Sequence, residues 1–242
     1  TVNITILDVN DNPPVFAESV YSASIPENAT VGTPVLKVSA TDIDPGENGQ
    51  IEYSINRRQS DKENMFKIDP ETVVALPLDR ESQSSYSLNV VATDKGSPPL
   101  HASRIINLRV TDVNDNAPAF VESEYFVEND ATPKISESAQ LDEFVARISV
   151  HDPDSKTEYA NVNVTLTGGD GHSDLRTRDN IIYLVVVALP LDRESQSSYS
   201  LNVVATDKGS PPLHASRIIN LRVTDVNDNA PAFVESEYKA KA

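Results

Sequence analysis

The chain lacks cysteine and tryptophan and contains no long hydrophobic run. Without cysteine no disulfide can stabilise the fold, and cysteine usage does not indicate a redox compartment. The longest apolar stretch, Ile181–Leu189, has the length of a strand and falls short of the roughly 18 residues that a membrane-spanning helix needs. Hydrophobic residues make up 38% of the chain, and its 242 residues favour two small domains over one.

Positive charge is also scarce, with 20 basic residues against 37 acidic ones and a formal net charge of −17. Such a chain repels nucleic acid and anionic lipid, so neither is expected as a partner. No Gly-x-Ser-x-Gly elbow, His-Glu-x-x-His motif or cysteine nucleophile is present. Asp79 and Glu81 could imitate a glycosidase pair, but their recurrence beside linker motifs favours metal binding. We therefore expect neither an enzyme nor a small-molecule substrate.

Strand patterns dominate what is present. Residues 35–40, 51–55, 86–92 and 106–110 alternate between apolar and polar side chains, which indicates one buried and one solvated face. Clusters of Gly, Pro, Asn and Asp separate these segments, and no stretch has a convincing helical period. Roughly seven short strands per hundred residues predict an all-β fold of β-sandwiches.

The pentapeptide Asp-Val-Asn-Asp-Asn occurs three times, at residues 8–12, 112–116 and 225–229. It is too polar for a core, and Asp and Asn compete with the helical backbone for hydrogen bonds. The copies lie 104 and 113 residues apart, which is the length of one small domain. The motif therefore suggests clusters of oxygen ligands between domains.

These motifs divide the chain into two repeats. Residues 15–116 form the first repeat and residues 117–229 the second. Residues 1–14 are interpreted as the last strand and linker of a preceding repeat, and residues 230–242 as the start of a following segment or a tail. Since there is also no initiator methionine or signal peptide, we expect a fragment of a larger protein.

An exact internal copy complicates this division. Val73–Tyr125 recurs without change as Val186–Tyr238, a stretch of 53 residues. The copy begins inside a predicted strand and leaves the first repeat several residues short. Our hypothesis is a chimeric or engineered sequence spliced at Val73, and the alternatives are a natural duplication and an error in the sequence. The shortened strand predicts either exposed backbone groups or a tighter hairpin.

Five motifs in the same order, found twice, resemble the cadherin repeat. In the first repeat they are Pro26-Glu27-Asn28, Asp42-Ile43-Asp44, Leu78-Asp79-Arg80-Glu81, Ala92-Thr93-Asp94-Lys95-Gly96 and 112–116. In the second they are Ser136-Glu137-Ser138, Asp152-Pro153-Asp154, Leu191-Asp192-Arg193-Glu194, Ala205-Thr206-Asp207-Lys208-Gly209 and 225–229. The sequence is most similar to those of the giant Fat- and Dachsous-type cadherins, and more to the Dachsous type than to the Fat type. The resemblance implies two tandem seven-stranded Greek-key sandwiches of immunoglobulin-like, cadherin type.

The resemblance also implies Ca²⁺ sites at the junctions between repeats, because calcium accepts many oxygen ligands in irregular geometry. The implied ligands of the central junction are Glu27, Asp79, Glu81, Asp112, Val113, Asn114, Asp115, Asn116, Asp152, Asp154 and Asp207. The carboxylates of this set number eight and carry a formal charge of −8. About three ions would leave −2, and without them the carboxylates would repel one another.

The two outer junctions have only part of their ligands in this chain, so we expect partial occupancy there. Around the first linker the implied ligands are Asp8, Asn10, Asp11, Asn12, Asp42, Asp44, Asn48 and Asp94. At the third they are Glu137, Asp192, Glu194, Asp225 and Asp228. An EF-hand is the nearest alternative metal site, but no helices flank Asp42-x-Asp44 and its glycine falls one position early.

The resemblance implies an extracellular part of a single-pass cell-membrane protein that mediates calcium-dependent adhesion. Its partners would be other cadherin ectodomains, Fat-like ones among them, and membrane contact would come only through parts of the parent outside this chain. The alternative is a non-adhesive spacer within a long array, and the absence of tryptophan removes the anchor that classical cadherins use for strand exchange. Three Asn-x-Ser/Thr sequons, at Asn3, Asn28 and Asn163, are candidate glycosylation sites.

Overall fold

In the computed structural model the chain forms two units, Thr1–Val113 and Asn114–Ala242, hereafter the first and second unit. The structure describes residues 2–121, 132–177 and 182–234. The predicted all-β class is confirmed, because α-helix in these ranges is limited to two single turns, α1 (Arg57–Ser60) and α2 (Thr157–Ala160). No described helix has the length and hydropathy required to cross a membrane.

The first unit contains nine strand segments within its described residues. They are β1 (Val15–Phe16), β2 (Tyr21–Pro26), β3 (Pro34–Lys37), β4 (Ala40–Thr41), β5 (Ile51–Ile55), β6 (Phe66–Asp69), β7 (Thr72–Ala75), β8 (Ser85–Asp94) and β9 (His101–Thr111). One sheet has the order β2-β9-β8-β5, another has the order β3-β7-β6, and β1 pairs with β4. β2 runs parallel to β9, and the other pairs are antiparallel. Taking β1 with β2, and β3 with β4, as interrupted strands gives the seven strands of the sandwich.

The core of the first unit follows from the period of two along its long strands. In β8 the side chains of Tyr86, Leu88 and Val90 are buried, while the residues between them lie on the other face. The Tyr86 ring meets the ring of Phe66 edge-on at 5.0 Å, which joins the two sheets. Leu88 and Val90 have no exposed surface, so this cluster excludes water from the space between the sheets.

The second unit has eight strand segments within its described residues. They are β10 (Ala119–Phe120), β11 (Lys134–Ser136), β12 (Phe144–His151), β13 (Asn163–Gly168), β14 (Ser173–Thr177), β15 (Ile182–Val187), β16 (Ser198–Thr206) and β17 (His214–Thr224). They form two four-stranded sheets in the orders β10-β12-β15-β14 and β11-β17-β16-β13. β11 runs parallel to β17, as β2 does to β9 in the first unit. Ile148, Val185, Leu201 and Val203 are fully buried in its core.

The shortened strand of the first unit forms a tight hairpin, the second of the two predicted outcomes. Phe66 pairs with Ala75 and Asp69 with Thr72, so two residues connect β6 to β7. Pro70 is one of these two residues, and its fixed φ suits the second position of a turn. Val73, the first copied residue, pairs with Ile68 and is fully buried. The copied strand therefore keeps its place in the core.

Candidate metal centres

Each unit carries two clusters of oxygen-bearing side chains, which include most of the predicted ligands. The exit clusters are Glu27, Asp79, Glu81 and Asp112 in the first unit, and Glu137, Asp192, Glu194 and Asp225 in the second. The entry clusters are Asn10, Asn12, Asp42, Asp44 and Asp94 in the first unit, and Asn114, Asn116, Asp152, Asp154 and Asp207 in the second. Each unit therefore has one exit cluster and one entry cluster.

Parallel strand pairing creates the exit clusters. Pro26, the last residue of β2, pairs with Thr111, the last residue of β9, and the acids Glu27 and Asp112 follow directly. Parallel strands end at the same edge of a sheet, so these two carboxylates lie side by side. The second unit has the same arrangement. Ser136 pairs with Thr224, and the acids Glu137 and Asp225 follow these two residues directly.

Glu27 is the best-anchored acid of the first exit cluster. It is 5% exposed, and its two carboxylate oxygens accept hydrogen bonds from the backbone N–H groups of Val113 and Arg80, both at 2.8 Å. One carboxylate oxygen each from Glu27, Glu81 and Asp112 lie within 4.8 Å of one another. Three acids at this separation can share one cation.

The guanidinium of Arg80 lies among these acids and donates hydrogen bonds to Asp112 and Glu81. Burial, followed by the negative charge of Glu27, nevertheless raises the pKa of Glu81. One arginine against four acids leaves the cluster with a formal charge of −3, so the cluster retains a strong preference for a further positive charge.

The second exit cluster repeats these contacts with small differences. Glu137 accepts hydrogen bonds from the backbone N–H groups of Arg193, at 2.8 Å, and Val226, and these two donors lower its pKa. Burial and the neighbouring charge of Glu137 raise the pKa of Glu194. Oxygens of Glu137, Asp192 and Glu194 again lie within 4.8 Å of one another.

In the first entry cluster, two linker asparagines bind two buried aspartates. The Asn10 side-chain amide donates to Asp94 at 3.1 Å and to the carbonyl of Pro98 at 2.8 Å. The Asn12 amide donates to Asp44 at 2.7 Å. Asp94 also accepts from backbone N–H groups in the loop after β8, which fixes the orientation of its carboxylate.

The second entry cluster reproduces this arrangement with the residues of the second linker copy. The Asn114 amide donates to Asp207 at 3.1 Å and to the carbonyl of Pro211 at 2.9 Å, and the Asn116 amide donates to Asp154 at 2.8 Å. Burial, followed by the negative charges of Asp154 and Asp207, raises the pKa of Asp152. Three aspartates, each at most 5% exposed, thus lie close together.

Each entry cluster contains buried oxygens without a hydrogen-bond donor among the described residues. They include Oδ1 of Asn10 and Oδ2 of Asp42 in the first unit, and Oδ1 of Asn114 and Oδ2 of Asp152 in the second. A buried acceptor without a donor costs free energy, which a bound cation would recover. All the candidate ligand atoms are oxygens, which are the ligands of Ca²⁺, whereas zinc and copper favour nitrogen and sulfur ligands. The residues present therefore fit calcium.

The other predicted ligands lie beside these clusters. Asn48 donates its side-chain amide to Asp8 at 2.8 Å. Asp11, Asp115 and Asp228 each accept from the side-chain amide of the following asparagine. Val113 donates its backbone N–H to Glu27, as Val226 does to Glu137.

The motifs contain two contributors that the sequence interpretation passed over. The arginine of Leu-Asp-Arg-Glu, Arg80 or Arg193, donates both its backbone N–H and its guanidinium to the acids of the exit cluster. The glycine of Asp-Lys-Gly lets the linker asparagine approach, since a Cβ at Gly209 would lie 2.1 Å from Nδ2 of Asn114. Both residues are visible in the motifs, but their contacts depend on the folded loop.

Replacing Gly209 by Ala should displace Asn114 from Asp207 and weaken calcium binding about fivefold. The added methyl group would overlap the Asn114 side chain, and losing one such contact costs about 1 kcal/mol. Calorimetric titration measures the affinity. Gly96→Ala should have the equivalent effect in the first unit, where the Cβ would lie 2.2 Å from Nδ2 of Asn10. Lys208→Ala, at the exposed neighbouring position, is the control; an affinity for Gly209→Ala equal to this control would contradict the prediction.

The chain is similar to known proteins over nearly its whole length. The family sequence model described as "Cadherin domain" matches residues 21–111 and 132–224. The Dachsous protein of Drosophila melanogaster is 64% identical over 99% of this chain, and human Protocadherin-16 is 46% identical over 98%. Mouse Protocadherin Fat 4 is 40% identical over 98% of the chain. The chain spans 7% of the length of the first two proteins and 5% of the third.

Solved structures agree with the sequence matches. The extracellular domain of Protocadherin GammaB4 superposes with a TM-score of 0.81 at 35% identity, over 96% of this chain and 35% of that one. A three-repeat segment of mouse Cadherin-23 superposes with a TM-score of 0.78 at 31% identity, over 91% of this chain and 67% of that one.

Proposed function

Because the chain belongs to the cadherin family, we propose that its exit and entry clusters bind Ca²⁺ and that ions held around residues 112–116 stiffen the connection between successive repeats of an adhesion ectodomain. The relatives are adhesion proteins and not enzymes, so the prediction of a non-enzymatic chain is confirmed. The buried oxygens without donors in the entry clusters are the observation that carries the proposal.

The order of the residues along the chain supports a shared site. Asp112 belongs to the exit cluster of the first unit and Asn114 to the entry cluster of the second, and one residue separates them. An ion that takes ligands from both clusters would convert its binding free energy into resistance to bending at this linker. We propose about three such ions here, as the family resemblance implies.

The outer clusters should bind more weakly in this chain. The entry cluster of the first unit has no preceding Glu and Asp-x-Glu groups within the sequence, and the exit cluster of the second has no following Asp-x-Asp. Each offers only half of a shared site, and fewer anionic ligands mean lower affinity.

Asp154→Ala should weaken the strongest class of calcium sites at least tenfold, because it removes a carboxylate that is 3% exposed from the second entry cluster. Asp115→Ala should act in the same direction. Isothermal titration of the whole chain measures the affinities. Asp44→Ala, the matched change in the first unit, should leave the strongest class intact. Equal effects of Asp44→Ala and Asp154→Ala would show that the strongest site does not use residues 112–116.

We further propose that the chain lies outside the cell, as part of a single-pass membrane protein, and contacts other cadherin ectodomains. Similarity to Dachsous and to Fat 4 supports a Fat-like partner. The alternative is a spacer that only sets length and stiffness. Light scattering at millimolar calcium, with and without a Fat-like ectodomain, separates the two. A monomer that shows no binding at any accessible concentration would favour the spacer.

A further inference from the structure

The two units differ at one edge of a sheet, where the end strand has no further strand beside it among the described residues. β5 ends the sheet β2-β9-β8-β5, and β13 ends the sheet β11-β17-β16-β13. Glu52 of β5 pairs with Thr93, and Asn163 of β13 pairs with Thr206. Thr93 and Thr206 are the same residue of the copied block, so Glu52 and Asn163 occupy equivalent positions.

In the first unit a charged side chain, Glu52, lies on the end strand β5. The Glu52 side chain is 72% exposed, and its carboxylate lies 3.3 Å from the ammonium group of Lys95. A hydrated charge on an end strand opposes pairing with a strand of another molecule, because pairing would desolvate it. Glu52 therefore makes pairing along β5 less favourable.

The second unit has no such charge on the corresponding edge. β13 reads Asn-Val-Thr-Leu-Thr-Gly, without a charged residue and rich in residues that favour strands. β11, β17, β16 and β13 contain no aspartate or glutamate at all, although the chain has 37 acidic residues. The negative charge that keeps acidic chains apart is therefore not carried by the strands of this sheet. By its composition, this edge is open to a strand from a second copy of the chain.

Asn163 is also the first residue of a sequon, Asn163-Val164-Thr165. Residues two apart in a strand share a face, and the Asn163 and Thr165 side chains are both exposed on the solvent face of β13. Asn28, by contrast, directly follows the buried ligand Glu27, and the hydroxyl of Thr33 donates to the carbonyl of its sequon threonine, Thr30, at 2.6 Å. Asn163, by comparison, does not directly follow a predicted ligand.

We propose that Asn163 carries an N-linked glycan that shields the open edge of β13 from pairing with a second copy. The donor is a lipid-pyrophosphate-linked oligosaccharide of the secretory pathway. The side-chain nitrogen of Asn163 forms a bond to the anomeric carbon of the first sugar, the bond from that carbon to the pyrophosphate oxygen breaks, and the nitrogen loses one proton. No oxidation or reduction occurs. The proposal rests on the extracellular location given above, since only a secreted chain meets this donor.

The test uses the whole chain secreted from a eukaryotic cell. Peptide-N-glycosidase in ¹⁸O-labelled water converts each glycosylated asparagine into a labelled aspartate that mass spectrometry locates. We expect the label at residue 163 in the unmodified sequence and in Thr165→Ser, which keeps the sequon. Asn163→Gln and Thr165→Ala should lack it. An unlabelled residue 163 in the unmodified sequence would overturn the proposal.

Light scattering then tests the role of the glycan. Asn163→Gln, Thr165→Ala and the unmodified sequence produced in bacteria, where Asn163 receives no glycan and stays neutral, should self-associate at concentrations at least about tenfold lower than the glycosylated chain. Asn163→Glu should remain monomeric without any sugar, because Lys208 is the copied counterpart of Lys95, which pairs with Glu52 in the first unit. The bacterially produced sample covers the case in which a variant is not secreted.

Equal self-association of the glycosylated protein and the unglycosylated protein produced in bacteria would overturn the shielding role. Calcium-dependent thermal stabilisation, measured on the same samples, should be the same in all of them. Its absence from the unmodified sequence would contradict the proposed calcium function and leave the glycan result standing, so the two failures are distinguishable.

Discussion

Chelating calcium should lower the melting temperature of the chain by about 10 °C and make the bonds around residues 112–116 the first to be cut by a protease. A site with an affinity on the order of 10⁻⁴ M contributes about 2.7 kcal/mol at about 10 mM calcium. For units of this size, each kcal/mol corresponds to about 4 °C. Repulsion among the freed carboxylates should loosen the linker.

Differential scanning calorimetry and limited proteolysis measure the two effects. Magnesium at the same concentration is the control, because it demands a smaller octahedral site and dehydrates reluctantly, so it should not replace calcium. Identical cleavage patterns with calcium and with chelator would contradict the prediction for the linker.

Leu201→Ala should destabilise the second unit by about 2–5 kcal/mol and lower its melting temperature by about 10–20 °C. Leu201 has no exposed surface, and its Cδ2 lies 2.4 Å from where a Cβ at Gly169 would be, so it packs directly against the backbone of the turn at residues 168–171. Truncation leaves a cavity that this tight turn cannot fill. Calorimetry or urea unfolding measures the loss.

The copied block provides a matched variant for this prediction. Leu88→Ala removes the same residue from the first unit, where it is also fully buried, and should lower the first unit's transition. Because the two sites lie in different units, the double variant should show additive losses within about 0.5 kcal/mol. Ser200→Ala, exposed on the same strand, should change stability by less than about 0.5 kcal/mol. A loss below about 1 kcal/mol for Leu201→Ala would mean that Leu201 does not support the core.

Much of this fold could be predicted because its strands are specified locally. The copied block forms β8 and β9 in one unit and β16 and β17 in the other, with nearly the same bounds. The period of two in these strands decides which face is buried, whatever the rest of the unit contains. The resemblance to cadherin repeats, and to Dachsous in particular, is confirmed by the family match and by the sequence identity.

Strand partners were less predictable than strands. Val73 pairs with Leu36 and Ile68, whereas its copy Val186 pairs with Phe144 and Asp174. The sequences before the copied block differ, and pairing between distant segments depends on both partners. The tight turn at Pro70 likewise lies before the copied block, in sequence that the two units do not share.

The candidate ligands could be chosen from the sequence because the motifs are rich in Asp, Asn and Glu, whose side chains carry oxygen. The geometry of these ligands could not be predicted from the sequence. Oδ1 of Asn114 is left without a donor because Asp207 and the Pro211 carbonyl accept from the amide nitrogen of the same side chain. That orientation depends on a loop 93 residues away along the chain. The place of the Arg80 guanidinium among the acids is similarly a consequence of the folded loop.

A crystal structure of the whole chain grown with calcium tests the central claim most directly. The account predicts at least one ion bound at about 2.3–2.6 Å both by exit-cluster oxygens of the first unit, such as those of Glu27 and Glu81, and by entry-cluster oxygens of the second, such as those of Asp152 and Asp154. Ions coordinated by one unit alone, or no ions near residues 112–116 at saturating calcium, would contradict it.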